Sequence, residues 1–249
     1  MKRILKLLTL LTLMMVVVVS CRKPEEPNIE DDNVVQNDSV VDHSGTLNGR
    51  DYVDLGLPNG TLWATCNVGA DSPEVFGDFL AWGETAPKDI YDWKSYKYSD
   101  VVPEHDCFKL SKYCTDSLSG LNGFVDNLTV LESVDDAAAV CWGDGWRMPT
   151  IDEWGELLEN TTFTWVEENG VKGRLVEGCN GNTIFLPAAG FHENCDTVCT
   201  EVGVYWSSTL HDYIPERAWS YHFTFENCHL CGTYERTRGQ CVRAVLSPK

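Results

Sequence analysis

Positive charge is what this sequence has least of. Its 249 residues carry 19 Lys and Arg against 38 Asp and Glu, for a formal net charge of −19 and a pI near 4.5. A field of that sign repels phosphate backbones, which excludes nucleic acid as a partner. Long apolar runs are also scarce. The one that stands out, Leu7 to Val19, is short for a membrane-spanning helix. Tandem repeats and heptads are missing, so solenoid and coiled-coil architectures are set aside. No Gly-x-Ser-x-Gly elbow accompanies Ser207-Ser208. The six histidines, at 43, 105, 192, 211, 222 and 229, form no local catalytic signature.

What is abundant points elsewhere. A chain that is 43% hydrophobic and 11% aromatic, with nine Trp, is not a disordered acidic tail. Eleven Cys exceed what a reducing cytosol ordinarily accommodates without metals. An acidic, folded, exported protein is expected.

The N-terminus supplies the export route. Lys2, Arg3 and Lys6 form a positive n-region ahead of the apolar stretch, which ends at Val18-Val19-Ser20-Cys21. That tetrapeptide resembles the bacterial lipobox, in which the Cys is acylated and the peptide is cut before it. Residues 1–20 are thus expected to be a lipoprotein signal peptide, with Cys21 the lipid attachment site. More than one acyl chain gives stable membrane anchoring. Residues 21–47 are rich in Asp, Glu, Asn, Pro and Ser and bury too little to fold, so they read as an acidic flexible tether. The acids at Glu25, Glu26 and Glu30 to Asp32 are similar to the surface-export signals of Bacteroides-group lipoproteins. An outer-membrane, lipid-anchored, surface-facing protein is the expectation, with residues 48–249 as its single domain.

Within that domain the pattern is α+β. Trp219, Tyr221, Phe223 and Phe225 alternate with smaller residues, as in a half-buried strand. Asn169-Gly170 between Phe163-to-Trp165 and Val171-to-Glu177 predicts a hairpin, and Asn180-Gly181 a second turn leading into Thr183 to Pro187. Short strands are expected at 203–208 and 240–245. Thr150-Ile-Asp-Glu153 after Pro149 is a capping-box signature, with Trp154, Leu157 and Leu158 at helical spacing. A second short helix is predicted over Val134 to Trp142, with Asp135 and Asp136 at its N-terminus favoured by the dipole. Arg147 and Arg243 are expected to pair with acids near the sheet.

Six blocks occur in order: DYVDLGLPNGTLWATCNVGA from Asp51, FGDFLAWGETAPK, DDAAAVCWGDGWRMPTIDEWGELL, NGNTIFLPAAGF, VYWSS and RGQCVRAV. Together they resemble the FISUMP (Fibrobacter succinogenes major paralogous domain) family over residues 48 to 246. The resemblance implies a C-type lectin-like fold: short helices, antiparallel sheet and long loops, here stapled by disulfides. It implies a cell-envelope binding module with no catalytic role. The block Gly145 to Trp154 is also similar to one in formylglycine-generating enzymes.

With Cys21 acylated, ten cysteines remain, and export favours disulfides over zinc for Cys195, Cys199, Cys228 and Cys231, with His192 or His229 as alternative metal ligands. These four are expected to crosslink in either connectivity. Calcium-dependent sugar binding of the lectin type lacks support: Glu26-Pro27-Asn28 lies in the tether, and Trp-Asn-Asp does not occur. No cofactor and no metal are assigned, although the many acids leave a structural calcium open. Aromatics in Asp92 to Tyr98, namely Trp93, Tyr96 and Tyr98, are candidates for stacking on a glycan, with core burial the alternative. The favoured function is a binding module for a glycan or protein. A structural or adhesive surface component without a small ligand is second. A cysteine-dependent enzyme is third, although the formylglycine-type cysteines do not map onto Cys228 and Cys231.

Overall fold

The computed structural model describes residues 43–102, 107–199 and 201–247, with the side chains of 228–231 set aside. The expected signal peptide, Cys21 and nearly all of the expected tether lie outside the described residues. Fifteen strands and two helices run in the order β1 (Gly45–Leu47), β2 (Arg50–Asp54), β3 (Leu62–Asn67), β4 (Ser99–Val102), β5 (Cys107–Leu110), α1 (Ala137–Trp142), β6 (Trp146–Arg147), α2 (Ile151–Asn160), β7 (Thr162–Glu168), β8 (Val171–Glu177), β9 (Thr183–Pro187), β10 (Phe191–Glu193), β11 (Asp196–Val198), β12 (Gly203–Leu210), β13 (Arg217–Phe223), β14 (Cys228–Glu235) and β15 (Arg243–Leu246). All strand pairs are antiparallel. The fold is α+β, as the sequence pattern predicts.

A five-stranded sheet of order β1-β2-β3-β15-β6 joins the two ends of the fold, because β15 inserts between β3 and β6. Sheets β7-β8-β9 and β12-β13-β14, with hairpins β4-β5 and β10-β11, complete the strand set. At the β7-β8 turn Asn169 and Gly170 both have positive φ, 50° and 81°, the backbone that a two-residue hairpin turn with right-handed twist requires. Domain onset differs from expectation. His43 N–H donates to Asp54 Oδ2, Asp54 N–H donates to Ser44 Oγ, and β1 pairs with β2. The last residues of the expected tether are therefore part of the sheet, because Leu47 packs on the core.

Two aromatic clusters fill the interior. One gathers Trp82, Trp142, Trp146 and Trp206 with Tyr96, Tyr98 and Tyr113, and the other gathers Trp63 and Trp154 with Leu157, Tyr205, Tyr221 and Phe223. Backbone acceptors fix three of the indoles: Trp82 donates to Ser207 O at 2.8 Å, Trp206 to Leu80 O at 2.7 Å and Trp154 to Trp206 O at 3.3 Å. Trp154 also stacks on Tyr221, with ring centroids 4.7 Å apart. Buried indoles usually find an acceptor, and these three do, whereas the N–H of wholly buried Trp63 has none among the described residues.

Several expectations are corrected by packing. Strand β13 is central in its sheet, so Ala218 and Ser220 on one face are buried as fully as Tyr221 and Phe223 on the other, and exposed Phe225 falls beyond its end. Helix α1 starts at Ala137 rather than Val134. Asp136 caps it, with Oδ1 accepting from the Ala138 and Ala139 N–H groups. Asp135 turns away and accepts from Lys97 Nζ, Lys112 Nζ and the Tyr113 hydroxyl. Arg147 does pair with an acid, Glu153. Arg243 does not: fully buried, it donates to Asn67 Oδ1 and to the carbonyls of Ala64, Thr65 and Phe185. Of the expected staple, Cys195 and Cys199 are exposed free thiols in this structure, and the other six described cysteines are free as well, Cys114 and Cys241 among them buried. Cys228 and Cys231 belong to β14, but their side chains lie outside the described residues. Phe191 of β10 lies 5.6 Å from Tyr234 of β14, which places the hairpin bearing Cys195 beside that strand.

Among the described residues no helix is long and apolar enough to cross a membrane.

Candidate functional site

Two clefts stand out among the described residues. The larger, about 570 Å³, lies between α1, β6, the start of α2 and β12, with a floor of Leu131, Trp146 and Met148. Its polar groups are engaged with the fold itself. The second oxygen of Asp136 accepts the Met148 N–H at 2.7 Å, and burial pushes this carboxyl up. Arg147 grips Glu153 through two bonds of 2.6 and 2.5 Å, which raises the guanidinium further. Burial opposes ionisation of Glu153, yet the bonds from Arg147 and the Thr150 N–H hold it below the ordinary carboxylate range. Ser208 donates to Pro149 O. A ligand entering here would find few polar groups free to receive it, so this cleft reads as a consequence of the capped helix.

The second cleft is different in kind. It encloses about 300 Å³ and is lined by Trp93, Cys107, Phe108, Leu110, Glu216 and Glu235. Four segments far apart in sequence build it. Trp93 comes from the loop before β4, and its carbonyl accepts from the Ser99 hydroxyl. Cys107, Phe108 and Leu110 are from β5. Glu216 directly precedes β13, and Glu235 ends β14; the main-chain bond from Arg236 N–H to Glu216 O ties these two ends together. Trp93 and Phe108 are stacked, with centroids 6.5 Å apart and planes at 20°, and Trp93 meets Tyr96 edge-on at 5.7 Å. Both rings and both carboxylates are half-buried.

The three expected contact aromatics therefore separate. Trp93 lines the cleft. Tyr96 and Tyr98 are buried, 2% and 7% exposed, and are corrected from ligand contacts to core. Tyr96 donates its hydroxyl to Trp82 O and accepts from Arg236 Nε, while burial raises its phenol well above the ordinary value. Tyr98 packs edge-on between Tyr96 and Tyr113 with Lys97 Nζ 4.8 Å over its ring. Beneath them Arg236, also fully buried, donates to carbonyls of Lys112, Tyr113 and Pro215 and faces the rings of Trp82, Tyr96 and Tyr113. Of these tyrosines, Tyr96 is the one that meets Trp93.

No family model, curated protein or solved structure matches the chain. Function is thus read from geometry. The remaining candidates do not assemble. His192 stacks on Phe79 at 4.1 Å, bonds to Thr197 through Nε2, and has its pKa lowered by burial. Among the described residues no three metal-ligating side chains converge. Ser207 donates to Trp219 O, so its hydroxyl is engaged in the strand pair. Phe108, Glu216 and Glu235 escaped the sequence reading. Phe108 has a weak local signal in the strand-like Cys107 to Leu110, whereas the two Glu have none.

Proposed function

We propose that this protein is a lipid-anchored, surface-facing binding module without catalytic function, of the FISUMP type with a C-type lectin-like domain, and that it takes a glycan in the Trp93–Phe108 cleft. One observation carries the reading: a stacked ring pair and two carboxylates converge on a small concave site. A sugar ring offers an apolar face to stack on aromatics and hydroxyls that donate to carboxylate acceptors. Loops and strand ends on a rigid scaffold are where such recognition is placed.

The anchor and the cleft are tested separately. Palmitate should label the mature protein and be lost in Cys21→Ser, which should leave the membrane fraction. A glycan array probed with the full-length chain, with and without calcium, should show binding that does not need calcium and falls in Trp93→Ala. An array with no binder would favour the structural or adhesive role. Turnover abolished by changing Cys228 or Cys231 would favour the cysteine-dependent enzyme.

A further inference from the structure

The charge pattern of the same cleft is one-sided. Its charged side chains are Glu216 and Glu235, and among the described residues no Lys or Arg lines it. Among the described residues neither carboxylate is in an ion pair. The cations that sequence and register bring nearest are engaged elsewhere. Arg217 sits opposite Glu235 in the β13-β14 ladder, but its Nη1 donates to Thr233 O and Oγ1. Arg236, next to Glu235, is buried against carbonyls and rings. Lys109 of β5 donates to Leu118 O. The cleft thus presents two half-buried carboxylates that no cationic side chain binds among the described residues, beside ring faces whose quadrupole also favours a cation. A cation entering this space gains from both.

We infer that the glycan bound here carries a free ammonium group, as in a glucosamine oligomer, rather than being neutral or anionic. This rests on the glycan-binding reading and adds its specificity. The sugar ring lies against Trp93 and Phe108, while the ammonium donates charge-assisted hydrogen bonds to Glu216 and Glu235, bonds roughly twice as strong as neutral ones. N-acetylation removes the charge, and a uronic acid reverses it. The net charge of −19 also draws cationic ligands in and speeds their association.

The test is calorimetric titration of the full-length protein in neutral detergent with a fully deacetylated glucosamine hexamer, its N-acetylated counterpart and hexalysine, at low and high salt. The deacetylated hexamer should bind about tenfold more tightly than the acetylated one, with affinity falling as salt rises. Glu216→Gln and Glu235→Gln keep the side-chain shape. Each should weaken the deacetylated hexamer about tenfold and the acetylated one, which loses only hydroxyl bonds there, by no more than about threefold. Equal affinity for the two hexamers, or no response to either Gln variant, would overturn the ammonium specificity and leave the glycan site standing. Binding of hexalysine alone would replace the glycan with a basic peptide. If none of the three binds, both the specificity and the glycan-binding reading fall.

Discussion

Two buried charges show what single side chains contribute. Arg243 has no carboxylate, and burial lowers its pKa, yet it is held by four acceptors drawn from β3, β9 and Asn67. Arg243→Met fills similar volume but leaves those acceptors short of a donor in the interior. It should cost about 3 kcal/mol, read from the urea midpoint; a loss under about 1 kcal/mol would mean that the acceptors find other partners. Asp135 is the opposite case. Burial alone would raise its carboxyl, but hydrogen bonds from Lys112, with Lys97 and Tyr113 adding to them, hold it well below the ordinary range. A carboxyl depressed in the folded state contributes stability that is complete above its unfolded value near 3.9 and is lost as pH falls through the folded value. Asp135→Asn should therefore lower stability by roughly 2 to 3 kcal/mol at neutral pH. Below about pH 4 its deficit should shrink, because the wild type is then losing the same contribution. A constant gap between the two proteins down to acid would contradict this account.

At the level of the element, α2 is a short helix set by its first turn. Thr150 accepts from the Glu153 N–H, and Glu153 returns to the Thr150 N–H while also holding Arg147 from β6. Thr150→Ala removes one half of the box and should cost about 1 kcal/mol. Glu153→Ala removes the other half and strands Arg147, so it should cost more. A cycle with Arg147→Met should show a coupling of at least about 0.5 kcal/mol, measured by chemical denaturation; strict additivity would separate the box from the ion pair. This helix and the Asn169-Gly170 hairpin were legible because their signals are local, a residue and its partner three or fewer positions away. Asp135 and Asp136 look alike in sequence, and only tertiary packing decides that one caps α1 while the other binds lysines from the loops around 97 and 112. The cleft was legible only at Trp93. Glu216 and Glu235 are ordinary acids in a chain rich in them, and it is the β13-β14 pairing that brings them to Phe108. In sequence Arg243 suggests half of an ion pair because charge suggests a charge, whereas its actual partners are three carbonyls, which any sequence supplies, and the Asn67 amide oxygen.

For the molecule as a whole, the question is what keeps so acidic a chain folded against its own repulsion. The sequence pointed to sulfur, since eleven cysteines in an exported protein read as a disulfide framework. The structure places the load on rings. Trp63, Trp82, Trp146, Trp154 and Trp206 are almost wholly buried, in two clusters joined by the Trp154–Trp206 hydrogen bond, while every described cysteine is a free thiol. Of these, Cys241 is buried beside Arg243, and burial pushes its thiol up to about 12, which makes it inert at physiological pH. Reductant gives a direct discrimination. A native disulfide contributes about 2–5 kcal/mol, and for a domain of this size each kcal/mol moves Tm by roughly 2–4 °C. If aromatic packing holds the fold, adding dithiothreitol should shift Tm by less than about 3 °C. A fall of about 10 °C or more would show that disulfides carry the fold after all, and non-reducing peptide mapping would then show whether Cys195 and Cys199 are bridged to Cys228 and Cys231.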